Sequence, residues 1–254
     1  MTPAPETPAL ETIGLTRAFG AVAVADGIDF RLAPGARHAL IGPNGAGKTS
    51  FVNLVTGALA PSAGRVLLDG ADVTRLAPAA RVLRGIVRSF QITSLFRGLT
   101  VLENVTLAVT ERHGAGGGMI RPAGRRRALI EEAWAGLEQL GLAAEASRPV
   151  RTLAYGRQRL VELAVALALR PRVLLLDEPA AGVPAEEAGL IVAAVERLPA
   201  ELAVLIIEHD LDLVFRLART ITVLVAGRVL MEGKPAEVAE DPRVREVYLG
   251  GRRA

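Results

Sequence analysis

The sequence predicts an α/β fold in which a mostly parallel sheet is covered by helices on both faces. Three observations point there. The run Gly42-Pro43-Asn44-Gly45-Ala46-Gly47-Lys48-Thr49-Ser50 fits G-x-x-x-x-G-K-[ST], a phosphate-binding loop that links a strand to a helix. Val173–Leu176 and Ala203–Ile207 are unbroken apolar runs bounded by charge, the pattern of strands buried on both faces. Between the loop and these runs, Leu129, Ile130, Ala133, Trp134, Leu137 and Leu140 recur at helical spacing.

Bulk properties narrow the class. The chain has 254 residues, enough for one large α/β domain or two modest ones. Half of them are hydrophobic, which allows a sizeable core. The longest apolar candidates, Leu163–Leu169 and Leu202–Ile207, fall far short of the roughly 18 residues that cross a bilayer. Residues 1–9 are proline-rich with no basic start, and read as a flexible tail rather than a signal peptide. Cysteine is absent, which excludes disulfides and thiol catalysis. The net charge of +3 is carried by arginine and is too mild to argue for nucleic acid.

The elements follow in order. Residues 11–32 alternate like strands and break at Gly20 and Gly27. His38–Ile41 reads as a short buried strand, and Ser50–Leu59 as a helix with Phe51, Leu54, Val55 and Leu59 on one face. Gly64–Asp69 followed by Gly70 reads as a strand and turn. A helical block spans roughly 93–158, interrupted by a flexible loop at Gly114–Gly118 and a solvated basic run at Arg121–Arg127. A further helix runs from about Arg157 to Leu169. No internal repeat is visible, so the chain carries one copy of the nucleotide machinery.

The chemistry resides in the phosphate loop and one acidic strand end. Glycines let backbone wrap closely around a phosphate. The N–H groups of the helix start then point at the anion, and the helix dipole favours negative charge there. Lys48, one of two lysines in the chain, brings a mobile positive charge, and Thr49 brings a hydroxyl for Mg²⁺. Val173–Leu176 ends in Asp177-Glu178-Pro179. Asp177 suits Mg²⁺ coordination, and Glu178 is placed to orient or deprotonate an attacking water.

These motifs, in this order over nearly the whole chain, resemble the ATP-binding subunits of ABC transporters. Gly42–Thr49 matches the Walker A loop, with Ser50 following, and Val173–Glu178 matches the Walker B strand. The resemblance gives Gln91 the role of the Q-loop glutamine, a ligand of Mg²⁺ and water. It gives His209 a contact to the γ-phosphate and Phe19 the stacking of adenine. The usual Leu-Ser-Gly-Gly-Gln signature is here Leu153-Ala154-Tyr155-Gly156-Arg157. The serine hydroxyl is lost, while Gly156 and a helix N-terminus remain to face a phosphate. That signature, the Ala180-Ala181-Gly182 loop and the Glu232–Gly250 tail resemble the ATPases of branched-chain amino acid importers.

The resemblance implies a single ABC ATPase domain over residues 10–250, with 251–254 a tail and no appended regulatory domain. Its P-loop core would come from about 36–92 and 157–225, an antiparallel β part from about 10–35 and 62–76, and a helical part from about 93–156. It implies ATP and Mg²⁺ as cofactors and a head-to-tail dimer with an identical or paralogous ATPase. It also implies permease subunits docked near Ile92–Glu103, an extracytoplasmic substrate-binding protein acting indirectly, and a place on the cytoplasmic face of the inner or plasma membrane. No nucleic acid partner is expected. The alternatives are a related transporter ATPase for urea, short amides or lipid, and a soluble ABC ATPase of DNA repair or translation. Those soluble ATPases usually carry coiled-coil insertions or fused duplicate units, and this chain has neither.

Overall fold

The computed structural model describes residues 7–89, 95–114 and 123–249. In chain order the elements begin with β1 (Leu10–Phe19), β2 (Val22–Leu32), β3 (Arg37–Ile41), α1 (Lys48–Thr56), β4 (Ala63–Leu68), β5 (Ala71–Asp72), α2 (Pro78–Arg84) and β6 (Ile86–Ser89). The helices α3 (Val101–Arg112), α4 (Ala123–Gln139) and α5 (Tyr155–Ala168) follow, then β7 (Val173–Asp177), α6 (Ala185–Glu196) and β8 (Ala203–Ile207). The chain closes with α7 (Leu211–Leu217), β9 (Thr220–Val225), β10 (Arg228–Gly233), α8 (Pro235–Glu240) and α9 (Pro242–Leu249). These form two compact units. The first comprises Met1–Ile86, Arg172–Glu178 and Pro199–Ala254, and the second Val87–Pro171 and Pro179–Leu198.

In the first unit, β3 lies between β8 and β9 and runs parallel to both. β7 extends the sheet as a parallel neighbour of β8, and β10 closes the other side antiparallel to β9. Alternation along β3 points Ala39, Leu40 and Ile41 to both faces of the sheet, and all three are buried. Leu40 enters one core with Phe51 and Leu54 of α1 and with Leu205 of β8. Ala39 and Ile41 enter another with Val214 of α7, Val223 of β9 and Val238 of α8. A charge at Leu40, which is 1% exposed, would therefore break the strand's packing outright. The antiparallel part is the sheet β2-β1-β4-β5. Leu10 sits opposite both Leu32 and Leu68, and all three feed the same core as α1.

The helix after the phosphate loop ends at Thr56, three residues before the Leu59 that its apolar face suggests. Gly57 takes a left-handed φ of 81° and its N–H returns to the Leu54 carbonyl. The buried Arg81 guanidinium finishes the job. It donates to the carbonyls of Leu54 and Val55 at 2.7 Å each, to Thr74 at 2.6 Å and to Leu76 at 3.1 Å. Carbonyls that a helix C-terminus leaves without partners are thereby satisfied, and α1 is anchored at the end opposite its loop.

The second unit is helical, and α5 and α6 belong to it along with α3 and α4. α3 opens on a capping box between Thr100 and Glu103. On α4 the buried stripe is Leu129, Ala133 and Leu137, whereas Ile130 and Trp134 stand 37% and 40% exposed. The apolar face is thus narrower than the sequence suggests. Glu132 ties the helix ends together, bound by Arg112 at 2.7 Å, His113 at 3.1 Å and Arg170. Burial opposes its ionisation, yet hydrogen bonds from Arg112 and His113 bring its pKa down to about 2. Most of the Gly114–Gly118 loop lies outside the described residues, whereas the basic run is described from residue 123, where it opens α4 and its exposed Arg127 pairs with Glu131 at 2.7 Å.

Candidate nucleotide site

The phosphate loop begins where β3 ends. Gly42 and Gly47 are required by close approach: a Cβ on Gly42 would stand 2.2 Å from the Leu224 carbonyl oxygen, and one on Gly47 2.4 Å from that of Val24. The Ala46 carbonyl accepts from Gly227 N–H at 2.8 Å, which pins the middle of the loop. Gly47 is the N-cap of α1 at φ 103°, with no side-chain cap and no acid in the first turn. The first N–H groups of α1 are thus left to an external anion. Lys48 Nζ lies over the loop and donates to the carbonyls of Gly42 at 2.6 Å and Pro43 at 3.1 Å. Burial lowers its pKa, against the pull of Glu178 and Asp177, which favour the charged form. The two carboxylates therefore act on the same ammonium that the sequence assigns to phosphate.

Asp177 ends β7, opposite Ile207 of β8. Glu178 follows in a left-handed conformation at φ 49°, rare for a residue with a Cβ. Its N–H donates to the Ile207 carbonyl at 2.9 Å. That turn carries the Glu178 side chain out to 47% exposure. From the end of β8, His209 meets it: Nδ1 stands 3.5 Å from Glu178 Oε1. The structure therefore brings Lys48, Asp177, Glu178 and His209 together in one unit. Phe19, at the end of β1, is 51% exposed, with the Arg17 guanidinium 4.8 Å over its ring. Gln91 and Ile92 lie outside the described residues.

In the second unit, Ala154 is the N-cap of α5 and the Tyr155 side chain is 41% exposed. The Gly156 N–H is engaged: it donates to Glu187 Oε2 at 2.7 Å. A Cβ on Gly156 would meet that carboxylate at 2.7 Å. An internal anion thus sits where the sequence reading places a phosphate.

A family model described as ABC transporter matches residues 25–181, more than half the chain. The chain belongs to the ABC transporter ATP-binding cassettes. A second model, described as branched-chain amino acid ATP-binding cassette transporter, matches residues 228–254 of the cassette. The cassette is 39% identical to the high-affinity branched-chain amino acid transport ATP-binding protein BraF of Pseudomonas aeruginosa, over 96% of this chain and 98% of that protein. It is 36% identical to LivG of Escherichia coli K12, a protein of the same description, over 96% and 98%. Among solved structures, the ADP conformation of the ABC transporter cassette MJ1267 superposes with a TM-score of 0.83 at 32% identity, covering 96% and 99%. The cassette is accordingly an ATPase of α/β fold.

Sequence reasoning missed two carboxylates of this cassette. Glu187 lies among the acids of the first turn of α6, where the helix dipole alone accounts for an acid. Glu208 sits beside His209 in Ile-Glu-His-Asp, and its burial at 2% exposure leaves no trace in the sequence.

Proposed function

We propose that this cassette hydrolyses Mg-ATP to energise the import of branched-chain amino acids. The observation that carries the cargo is the near full-length likeness to BraF, joined by the separate match of the C-terminal segment. α1 binds the phosphates through its free N–H groups, and Lys48 leaves the carbonyls of Gly42 and Pro43 for the outer phosphates. Glu178 takes the proton of the attacking water, His209 holds the γ-phosphate, and Phe19 stacks on adenine. Thr49 and Asp177 are hard oxygen donors that suit Mg²⁺, with Gln91 a further ligand by sequence. Bound there, Mg²⁺ would supply Lewis-acid neutralisation of phosphate charge.

The same reading makes the working unit a head-to-tail dimer with an identical or paralogous cassette, Ala154, Tyr155 and Gly156 of each facing the nucleotide of the other. Permease subunits complete the transporter and a substrate-binding protein delivers cargo, so the cassette works from the cytoplasmic membrane face. No helix among the described residues is long and apolar enough to cross a membrane. The test is reconstitution with the permease subunits that co-purify from native membranes. ATP-dependent uptake of leucine, isoleucine and valine is expected, and Glu178→Gln should abolish it while preserving ATP binding. Removing a general base typically costs about 10²–10⁴-fold in rate. Uptake of urea but not leucine would overturn the cargo, and unimpaired hydrolysis by Glu178→Gln would overturn the base.

A further inference from the structure

Glu178 and His209 are both well exposed, at 47% and 64% of their side chains. Packing therefore does not fix their mutual distance, and the backbone turns that carry them must. On the Glu178 side the turn is held by its N–H bond to Ile207. On the His209 side the holding group is Glu208. Its buried carboxylate Oε2 accepts from the backbone N–H of His209 at 2.9 Å and of Asp210 at 3.3 Å, and lies 3.7 Å from His209 Nδ1. Asp210 then turns outward to cap α7, accepting from the N–H groups of Asp212 and Leu213. The turn leaving β8 is thus built by two acids, one bonded inward to the turn itself and one outward to the next helix.

We propose that Glu208 is a positioning residue for ATP hydrolysis, holding through these two backbone bonds the turn that sets His209 against Glu178. The proposal rests on the reading that His209 and Glu178 act on the γ-phosphate and water. A buried carboxylate is costly unless hydrogen-bonded, and here its partners are the two amides on either side of the histidine. Without it those amides would be left unpaired, and the turn would be free to rotate its exposed imidazole away from the water. What the turn needs is a buried acceptor of this length rather than a charge. Glutamine offers the same carbonyl-type oxygen and should serve.

The test measures Mg-ATP hydrolysis by the purified full chain. Glu208→Gln should keep kcat within about threefold of the parent. Glu208→Leu, with no acceptor, should lose at least about tenfold in kcat with KM for ATP changed less than twofold. Glu208→Ala replaces it should the leucine variant fail to fold. In a His209→Ala background the same Glu208 substitution should have no further effect, since the group it positions is gone. A Glu208→Leu enzyme with parent kcat would overturn the proposal, as would a Glu208→Gln enzyme that loses as much as Glu208→Leu. If His209→Ala itself leaves kcat unchanged, the reading of the histidine is what fails.

Discussion

Glu178 shows how a single residue can be tuned against stability. Its left-handed backbone conformation costs an L-residue about 1–2 kcal/mol relative to the right-handed region, and the bond from its N–H to Ile207 enforces it. Its charge also bears on the buried Glu208, whose pKa is raised chiefly by burial and further by Glu178. Glu178→Gly relieves both strains. The entropy that glycine loses on folding, roughly 0.5–1 kcal/mol, offsets part of the gain. The variant should thus be as stable as the parent or up to about 1 kcal/mol more so, while hydrolysis is lost. Chemical denaturation checks the first and single-turnover hydrolysis the second. Clear destabilisation would mean that the Glu178 side chain contributes to folding beyond its role at the site. Lys48 obeys a related logic, since its half-buried ammonium lies on carbonyls in a position from which phosphate can draw it. Lys48→Ala should abolish turnover and the rise in melting temperature that Mg-ATP gives the parent, a rise that reflects about 2.7 kcal/mol of stabilisation at a hundredfold excess over Kd.

Among the elements, α5 departs furthest from what its sequence suggests. Its N-terminus is satisfied by Glu187 of α6, a carboxylate on the Gly156 N–H. Such caps contribute about 1 kcal/mol. A phosphate approaching the same N–H must displace that carboxylate or share the space with it, and like charges disfavour sharing. Glu187→Ala should therefore lower the melting temperature by roughly 2–4 °C. In a Glu178→Gln background it should also lower the ATP concentration that gives half-maximal dimer by light scattering. Weaker dimerisation would instead place Glu187 among the groups that support the closed state. The phosphate loop and the two buried parallel strands were legible because their geometry is written in glycine, lysine and unbroken apolar runs. The partners of Glu187 and Glu208 were not, because an acid in a first turn or beside a histidine looks the same whether it faces water or buried amides. Helical spacing likewise nominated Ile130 and Trp134 as core, but spacing cannot tell a wide stripe from the narrow one formed by Leu129, Ala133 and Leu137.

For the whole molecule, the acid response is set in the core of the parallel sheet. His38 on β3 is 3% exposed, and its Nε2 lies 2.7 Å from Thr222 Oγ1 on β9. Thr222 donates its own hydrogen to Glu232 Oε2 on β10 at 2.8 Å, so its oxygen accepts and His38 Nε2 is the donor. The edge of Phe30 on β2, with ring centroids 4.9 Å apart, closes over the imidazole. Burial pushes the His38 pKa from 6.5 down to about 4. The folded state therefore binds this proton less readily than the unfolded chain. Stability from this group is fully present above pH 6.5 and is lost as pH falls from there towards 4, by about 3 kcal/mol in all. That is a large share of the roughly 5–15 kcal/mol typical of a folded domain. Glu132, held at about 2, acts in a lower window and loses its contribution only as pH falls below the ordinary carboxylate value of 4.5. His38→Gln keeps a donor towards Thr222 and cannot titrate in this range. Its unfolding free energy, measured by urea denaturation at pH 7.5 and pH 5, should fall much less between the two than the parent's does. An equal fall in both proteins would show that the acid sensitivity originates elsewhere than in His38.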